Sequence, residues 1–232
     1  MEIDLNADLG EGAGSDAELM PLITSANVCC GAHAGDPETI RETLGLAKRH
    51  GVTVGAHPGY PDREHFGRRN MPEPGNALYV QLSHQLSGFL ATAEQAGVPV
   101  RYVKPHGAMY NQAAADPAFA NNVCSAIANW TLPGVCLPGS EVEKMCGLLG
   151  VPFVPEGFAD RRYRPGGSLA PRTEPDAFVH DPDEAVKQVE WLIEARGVRT
   201  ICVHGDNPQA VAFTRAVREA LLARGFTLKP FA

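Results

Sequence analysis

A chain of 232 residues, 44% of them hydrophobic and 20% charged, has the composition of a folded globular domain and the length that a single α/β barrel commonly fills. Twenty lysines and arginines against 27 acidic residues give a net charge of −7, and no basic block is denser than Arg68-Arg69 or Arg161-Arg162, so nucleic-acid binding is not expected. No apolar run approaches the ~20 residues that span a bilayer, and Met1 leads directly into a strand without a charged and apolar leader, so a cytoplasmic protein with no membrane partner is expected.

The first strand is predicted at 3–8, where alternation puts Asp4, Asn6 and Asp8 on one face. Three polar residues turned inward are costly unless they have partners or serve a site; the plainer reading is an edge strand with that face in water. Glu11 follows between Gly10 and Gly12, a turn that lets a ligand approach the backbone closely. The run at 24–30 places Asn27 and Cys29 on one face, and His33 follows in a loop of small residues, either solvated or part of a site. Asp36-Pro37 opens a helix that ends near His50-Gly51, so helix capping accounts for Asp36.

The strand at 52–57 stops at His57 before Pro58, which keeps the backbone extended and directs the ring over the strand end. An insert at 59–75, rich in Gly, Pro, Arg and aromatics, precedes a long helix at 76–96 with Leu78, Leu82, Leu86, Phe89 and Leu90 at helical spacing. The strand at 100–104 ends in Lys104. A lysine there needs a cavity, an acidic partner or an anionic ligand, and His106, two positions on, can serve as acid or base. Asp116-Pro117 opens a helix running to Trp130, a strand is predicted at 134–137, a helix at 140–149 and a strand at 151–154.

Glu156 stands before a second insert, 157–177, that carries Asp160, Arg161 and Arg162. Asp181-Pro182 opens the next helix, with Glu184 placed to complete a capping box. The strand at 199–203 runs into His204, while Asp206 has a competing turn or capping role ahead of Asn207-Pro208, which opens a last helix to Arg224 before a strand at 226–230.

Strands alternating with helices predict one domain with a parallel sheet, whose C-terminal strand ends converge on one rim. Asp8, His57, Lys104 and His204, far apart in the chain, become neighbours there. Six cysteines without a Cys-x-x-Cys pair read as reduced thiols. There is no GxGxxG after a strand, no GxxxxGK[ST] and no GxSxG, so this chain offers no evident home for a dinucleotide or ATP and no hydrolase elbow. A rim of carboxylates, imidazoles and one lysine suits hydrolysis or proton transfer on a small polar substrate, with or without a metal.

Six ordered motifs, DLNADLGEG, SANVCCGAHAGDP, VGAHPGYPDREHFGRR, VKPHGAMYN, EGFADRRYRPGGSLAPR and CVHGDNP, resemble the LamB/YcsF family, which supplies the A subunit of bacterial ATP-dependent 5-oxoprolinases. The resemblance covers essentially the whole chain. It implies a TIM-like (β/α) barrel, seven-stranded, of the glycoside hydrolase/deacetylase type. It also implies ring opening of 5-oxo-L-proline to L-glutamate, coupled to ATP hydrolysis and carried out with partner subunits B and C.

On that chemistry the lactam carbonyl is phosphorylated before water attacks. Asp8 or Glu11 is then the base for water, and His57, His106 and His204 are acid/base or oxyanion partners. Lys104 and Arg161 hold the substrate carboxylate or the phosphate, and Asn6, Asn27, His33 and Glu156 complete the substrate-binding set. A divalent metal stays open: Asp8, His33 and His57 could imitate the one-Asp, two-His set of deacetylases with this barrel, although their spacing is not the deacetylase motif. Two other classes fit the same residues, a stand-alone metal-dependent amidohydrolase or carbohydrate deacetylase, and a non-catalytic component that only binds the lactam.

Overall fold

The computed structural model describes residues 1–72, 74–204 and 209–232. Short runs of β-branched and small residues form β1 (Glu2–Leu9), β2 (Ser25–Cys29), β3 (Thr53–His57), β4 (Val100–Val103), β5 (Gly134–Cys136), β6 (Phe153–Phe158) and β7 (Thr200–Val203). Each pairs in parallel with the next, and β1 pairs with both β2 and β7, so the sheet closes into a seven-stranded barrel. A short β8 (Thr227–Leu228) pairs with Glu2 and Ile3 of β1, and Phe231 packs on Tyr102.

Around the barrel lie α1 (Asp16–Leu19), α2 (Pro37–His50), α3 (Asn76–Gln95), α4 (Gly107–Ala115), α5 (Pro117–Ala128), α6 (Glu141–Leu149), α7 (Pro182–Arg196) and α8 (Ala210–Ala223). Their starts follow the sequence signals. The side chains of Asp36, Asp116, Ser140 and Asp181 each accept a backbone N–H in the first turn of the following helix, worth about 1 kcal/mol apiece. The apolar stripe of α3 is buried as its spacing predicts, through Leu78, Leu82, Leu86 and Phe89.

Several local expectations change. The strand predicted at 151–154 lies at Phe153–Phe158, so Glu156 is inside β6 rather than at the head of a loop. Pro155 and Gly157 hid this. Gly157 is needed because a Cβ there would lie 2.8 Å from Leu192 of α7, so its absence lets the helix settle on the strand. Glu184 does not complete a capping box; its carboxylate takes Arg162 at 2.6 and 3.2 Å instead. The helix α4, Ala-rich and without a clean amphipathic stripe, follows His106 directly. Asp206 and the Asn207-Pro208 helix start lie outside the described residues.

Candidate active site

Period-two alternation turns Asp4, Asn6 and Asp8 of β1 into the barrel, and the edge-strand reading falls because β1 is paired on both sides. Their partners come from across the barrel. Asp4 sits lowest, accepting hydrogen bonds from Thr24 and Ser25 at 2.6 Å and from Thr200. Burial pushes its carboxyl up to about 6. One layer higher, Asn6 donates to Glu156 at 3.1 Å and to Thr200, while Asn27 donates to Asn6 and Asp8 at 2.6 and 2.7 Å. The Tyr102 hydroxyl donates to Asn27 at 2.7 Å, and its ring lies against Gly55, where a Cβ would come within 2.1 Å of it.

Lys104 caps this polar column. Its ammonium, 2% exposed, lies 3.0 Å from Asp8, 2.8 Å from Glu156, 3.0 Å from Cys202 Sγ and 5.2 Å from the centre of the Phe158 ring. Burial would lower the Lys104 pKa, and Asp8, Cys202 and Glu156 more than offset it, so the amine stays charged. Burial raises Glu156 above the usual carboxylate range, with Lys104 opposing part of the rise. Burial would also raise Asp8, but His57 and Lys104 hold it well below its ordinary value.

Beside Asp8, three imidazoles surround Glu11. His33 Nε2 lies 3.0 Å from Glu11 Oε1, His106 Nδ1 3.2 Å and His57 Nε2 3.8 Å, with Asp8 Oδ2 3.5 Å from His57. Burial would raise Glu11, yet the facing His106 and His33 rings keep it ionised. Burial lowers His106, and lowers His33 to about 4, whereas for His57 the burial cost is outweighed by Asp8 and the pKa rises. His33 stacks on His106 with centroids 3.8 Å apart.

On the opposite wall, His204 Nδ1 meets Asp160 at 2.8 and 3.0 Å, and its ring stacks on Phe158. Burial would raise Asp160, and His204 pulls it below the usual range. A cavity of about 730 Å³ opens above, with Asp8, His57, Lys104, His106 and His204 in its floor and wall.

The barrel therefore gathers Asp8, His57, Lys104, His106 and His204 at one cavity, as their strand-end positions predict. Asn6, Asn27 and Glu156, expected to bind substrate, lie beneath the cavity and hold Asp8 and Lys104 instead. His33 braces Glu11 from behind. Arg161 lines the cavity, but it donates to the carbonyls of Ala170 and Ala177, and burial with Arg172 nearby lowers it to about 10.

Thr200, Cys202 and Tyr102 are site residues that the sequence does not single out, and Asp160 stands in the second insert's cluster without an assigned role. Thr200, Cys202 and His204 share a strand face by the same period-two rule, so that signal is present in the sequence; Asp160, two residues past the end of β6, has no periodicity to mark it. Among the described residues two groups have donors close enough to hold a metal ion: Glu11, His33, His57 and His106, and Asp8, Cys202 and His204, with ligand atoms within 4.8 Å in each. Of the expected metal set, His33 and His57 fall in the first group and Asp8 in the second, with Asp8 Oδ2 3.5 Å from His57 Nε2 between them.

A family model described as LamB/YcsF matches residues 3–232. A protein named as the A subunit of 5-oxoprolinase, from Neisseria meningitidis serogroup C (strain 053442), is 44% identical over 238 residues, covering 97% of each chain. The solved structure of a lactam utilization protein from Thermus thermophilus matches with a TM-score of 0.90 at 38% identity, covering 100% of both chains. The catalytic domain of a peptidoglycan N-acetylglucosamine deacetylase from Eubacterium rectale ATCC 33656 matches at 0.56 and 12% identity over 99% of this chain and 88% of that one, a likeness of fold alone.

Proposed function

The chain belongs to the LamB/YcsF family, and from that premise we propose that it is the A subunit of a 5-oxoprolinase, opening the lactam of 5-oxo-L-proline to L-glutamate. The observation that carries the reading is the cavity floor: ionised Asp8 beside His57 and His106, with Glu11 against both of those rings and a further imidazole, His204, on the facing wall. Carboxylates on one side of a reacting carbon and imidazoles on both provide a base for water and an acid for the departing ring nitrogen.

An unstrained lactam is a poor electrophile, so ATP-dependent phosphorylation of its carbonyl oxygen by partner subunits B and C belongs to the proposal. The lack of a phosphate loop in the sequence supports that division of labour. Water adds to the activated carbon as its proton passes to Asp8 or Glu11. The C–N bond then breaks with a proton delivered to the ring nitrogen, and loss of phosphate to a second water leaves glutamate. His204, held by Asp160 at Nδ1, would deliver the proton to nitrogen from Nε2. A cavity of about 730 Å³ leaves room for a phosphoryl group, and Arg68 and Arg172 in its wall suit an anion.

The test is glutamate release from 5-oxoproline and ATP, by this chain alone and with subunits B and C. Release requiring all three supports the reading; release by the chain alone overturns the division of labour, and none with all three overturns the function. ATP-independent cleavage of amides or N-acetyl sugars would favour the stand-alone amidohydrolase, for which the two metal-competent groups speak.

A further inference from the structure

The imidazole cluster has an imbalance of donors and acceptors that the chain does not resolve by itself. His57 Nδ1 lies 2.7 Å from the carbonyl oxygen of Lys104, and His106 Nε2 lies 2.9 Å from that of Phe66. A carbonyl only accepts, so both of these outer nitrogens carry the hydrogen. In the neutral rings the inner nitrogens, His57 Nε2 and His106 Nδ1, then present lone pairs to each other across 3.0 Å. Glu11 Oε1 stands 3.2 Å from His106 Nδ1 and 3.8 Å from His57 Nε2, and Asp8 Oδ2 stands 3.5 Å from His57 Nε2. Glu11 Oε1, His57 Nε2 and His106 Nδ1 converge with no hydrogen among them, and Asp8 Oδ2 faces His57 Nε2.

We propose that Glu11 Oε1, His57 Nε2, His106 Nδ1 and Asp8 Oδ2 ligate one divalent transition-metal ion. Bonds of about 2.0–2.2 Å to nitrogen and oxygen place ligand atoms roughly 3–3.5 Å from one another, close to the separations found. Two imidazoles with two carboxylates suit zinc and its neighbours in the first transition row; magnesium and calcium favour oxygen alone.

The surroundings are those of a metal-binding histidine pair. Each ring is fixed by a bond from its outer nitrogen to a backbone carbonyl, the arrangement that sets tautomer and orientation around bound ions. His33 Nε2, 3.0 Å from Glu11 Oε1, orients the carboxylate directly. The carbonyl of Phe66 is aimed by a left-handed backbone, φ 55°, that a bulky residue adopts only when its surroundings hold it there. The competing resolution is one extra proton shared by the two rings.

The experiment uses the purified full chain, stripped with chelator and titrated with Zn²⁺ by calorimetry and with Co²⁺ by visible absorption. One ion per chain with a Kd near or below about 1 μM, roughly 8 kcal/mol of binding, is expected. Glu11→Gln and His106→Gln, each confirmed as folded by circular dichroism, should weaken binding by at least about tenfold and change the Co²⁺ spectrum. Folded wild-type protein that binds neither ion would assign the cluster to a shared proton and overturn the proposal. So would binding that survives both of those changes but is lost in Cys202→Ser, which would move the ion to the other group. Binding is read without turnover and does not depend on which amide is cut, so this test and that of the 5-oxoprolinase reading fail separately.

Discussion

Replacing Lys104 by Met removes the charge that joins the two buried carboxylates of the barrel. Asp8 and Glu156 lie 3.0 and 2.8 Å from the ammonium, and none of the three is appreciably exposed. At an effective dielectric constant near 20, each contact is worth about 5–6 kcal/mol of attraction. Desolvation of the three charges opposes this by several kcal/mol per ion. Breaking a buried pair by deleting one partner costs about 3–5 kcal/mol, because the other charge stays buried and unmatched. That is a large part of the ~5–15 kcal/mol that holds a domain folded.

Lys104→Met alone should therefore lose both turnover and stability, and turnover cannot be interpreted from it. Glu156→Gln keeps the acceptor for Asn6 and deletes the charge that burial already disfavours, so it should cost no more than about 1 kcal/mol. The double variant should recover at least about 1 kcal/mol of the Lys104→Met loss, a coupling that urea titration of all four proteins would measure. A loss under about 1 kcal/mol for Lys104→Met, or strictly additive costs, would refute the ion-column argument. Turnover of the folded double variant in the reconstituted complex then reads the chemical role of the ammonium.

Asp160→Asn leaves shape nearly unchanged but no longer fixes the His204 tautomer, so kcat in the complex should fall by about 10²–10⁴ with KM little changed; an unchanged kcat would remove the pair from proton transfer. Asp4→Asn tests burial at the base of the barrel. The folded carboxyl sits at about 6 against 3.8, so its contribution to stability is complete below the unfolded value and is lost as pH rises through about 6. The shift corresponds to roughly 3 kcal/mol. The variant should be the more stable protein at pH 8 and have a shallower pH dependence in urea, and identical slopes would contradict this. Gly55→Ala puts a methyl within 2.1 Å of the Tyr102 ring and should cost about 1–3 kcal/mol, read as a lower Tm by calorimetry; an unchanged Tm would mean the ring moves freely.

Much of the site was legible because strand periodicity and strand ends are local signals. Asp4, Asn6 and Asp8 face inward as alternation requires, and His57, Lys104 and His204 meet at the rim as parallel topology requires. Alternation alone gives a parallel sheet; the closed seven-stranded barrel came from the resemblance and was met by the pairing of β1 with β7. What the sequence hid depended on partners across the barrel. Glu156 is flanked by Pro155 and Gly157, ordinarily loop residues, yet helix packing against Gly157 keeps the strand going. His33 and Asn27 read as ligand-binding from their polarity, but only three-dimensional register reveals that their partners are Glu11 and Asp8. Arg161 looked like an anion receptor, and its donors instead hold the carbonyls of its own loop.

The pairing of β1 with β7 also sets when the site comes into being. Asn6 and Thr200 are separated by 194 positions and Asp4 and Thr200 by 196, so these contacts form only after nearly the whole chain has been drawn together. Such distant pairings are the slow events of folding, since loop closure must precede the contacts that reward it. No half-barrel intermediate holds Lys104 against both of its carboxylates. Refolding should show the Lys104 contacts and barrel closure in a single late phase, and chemical competence becomes a reporter of completed topology.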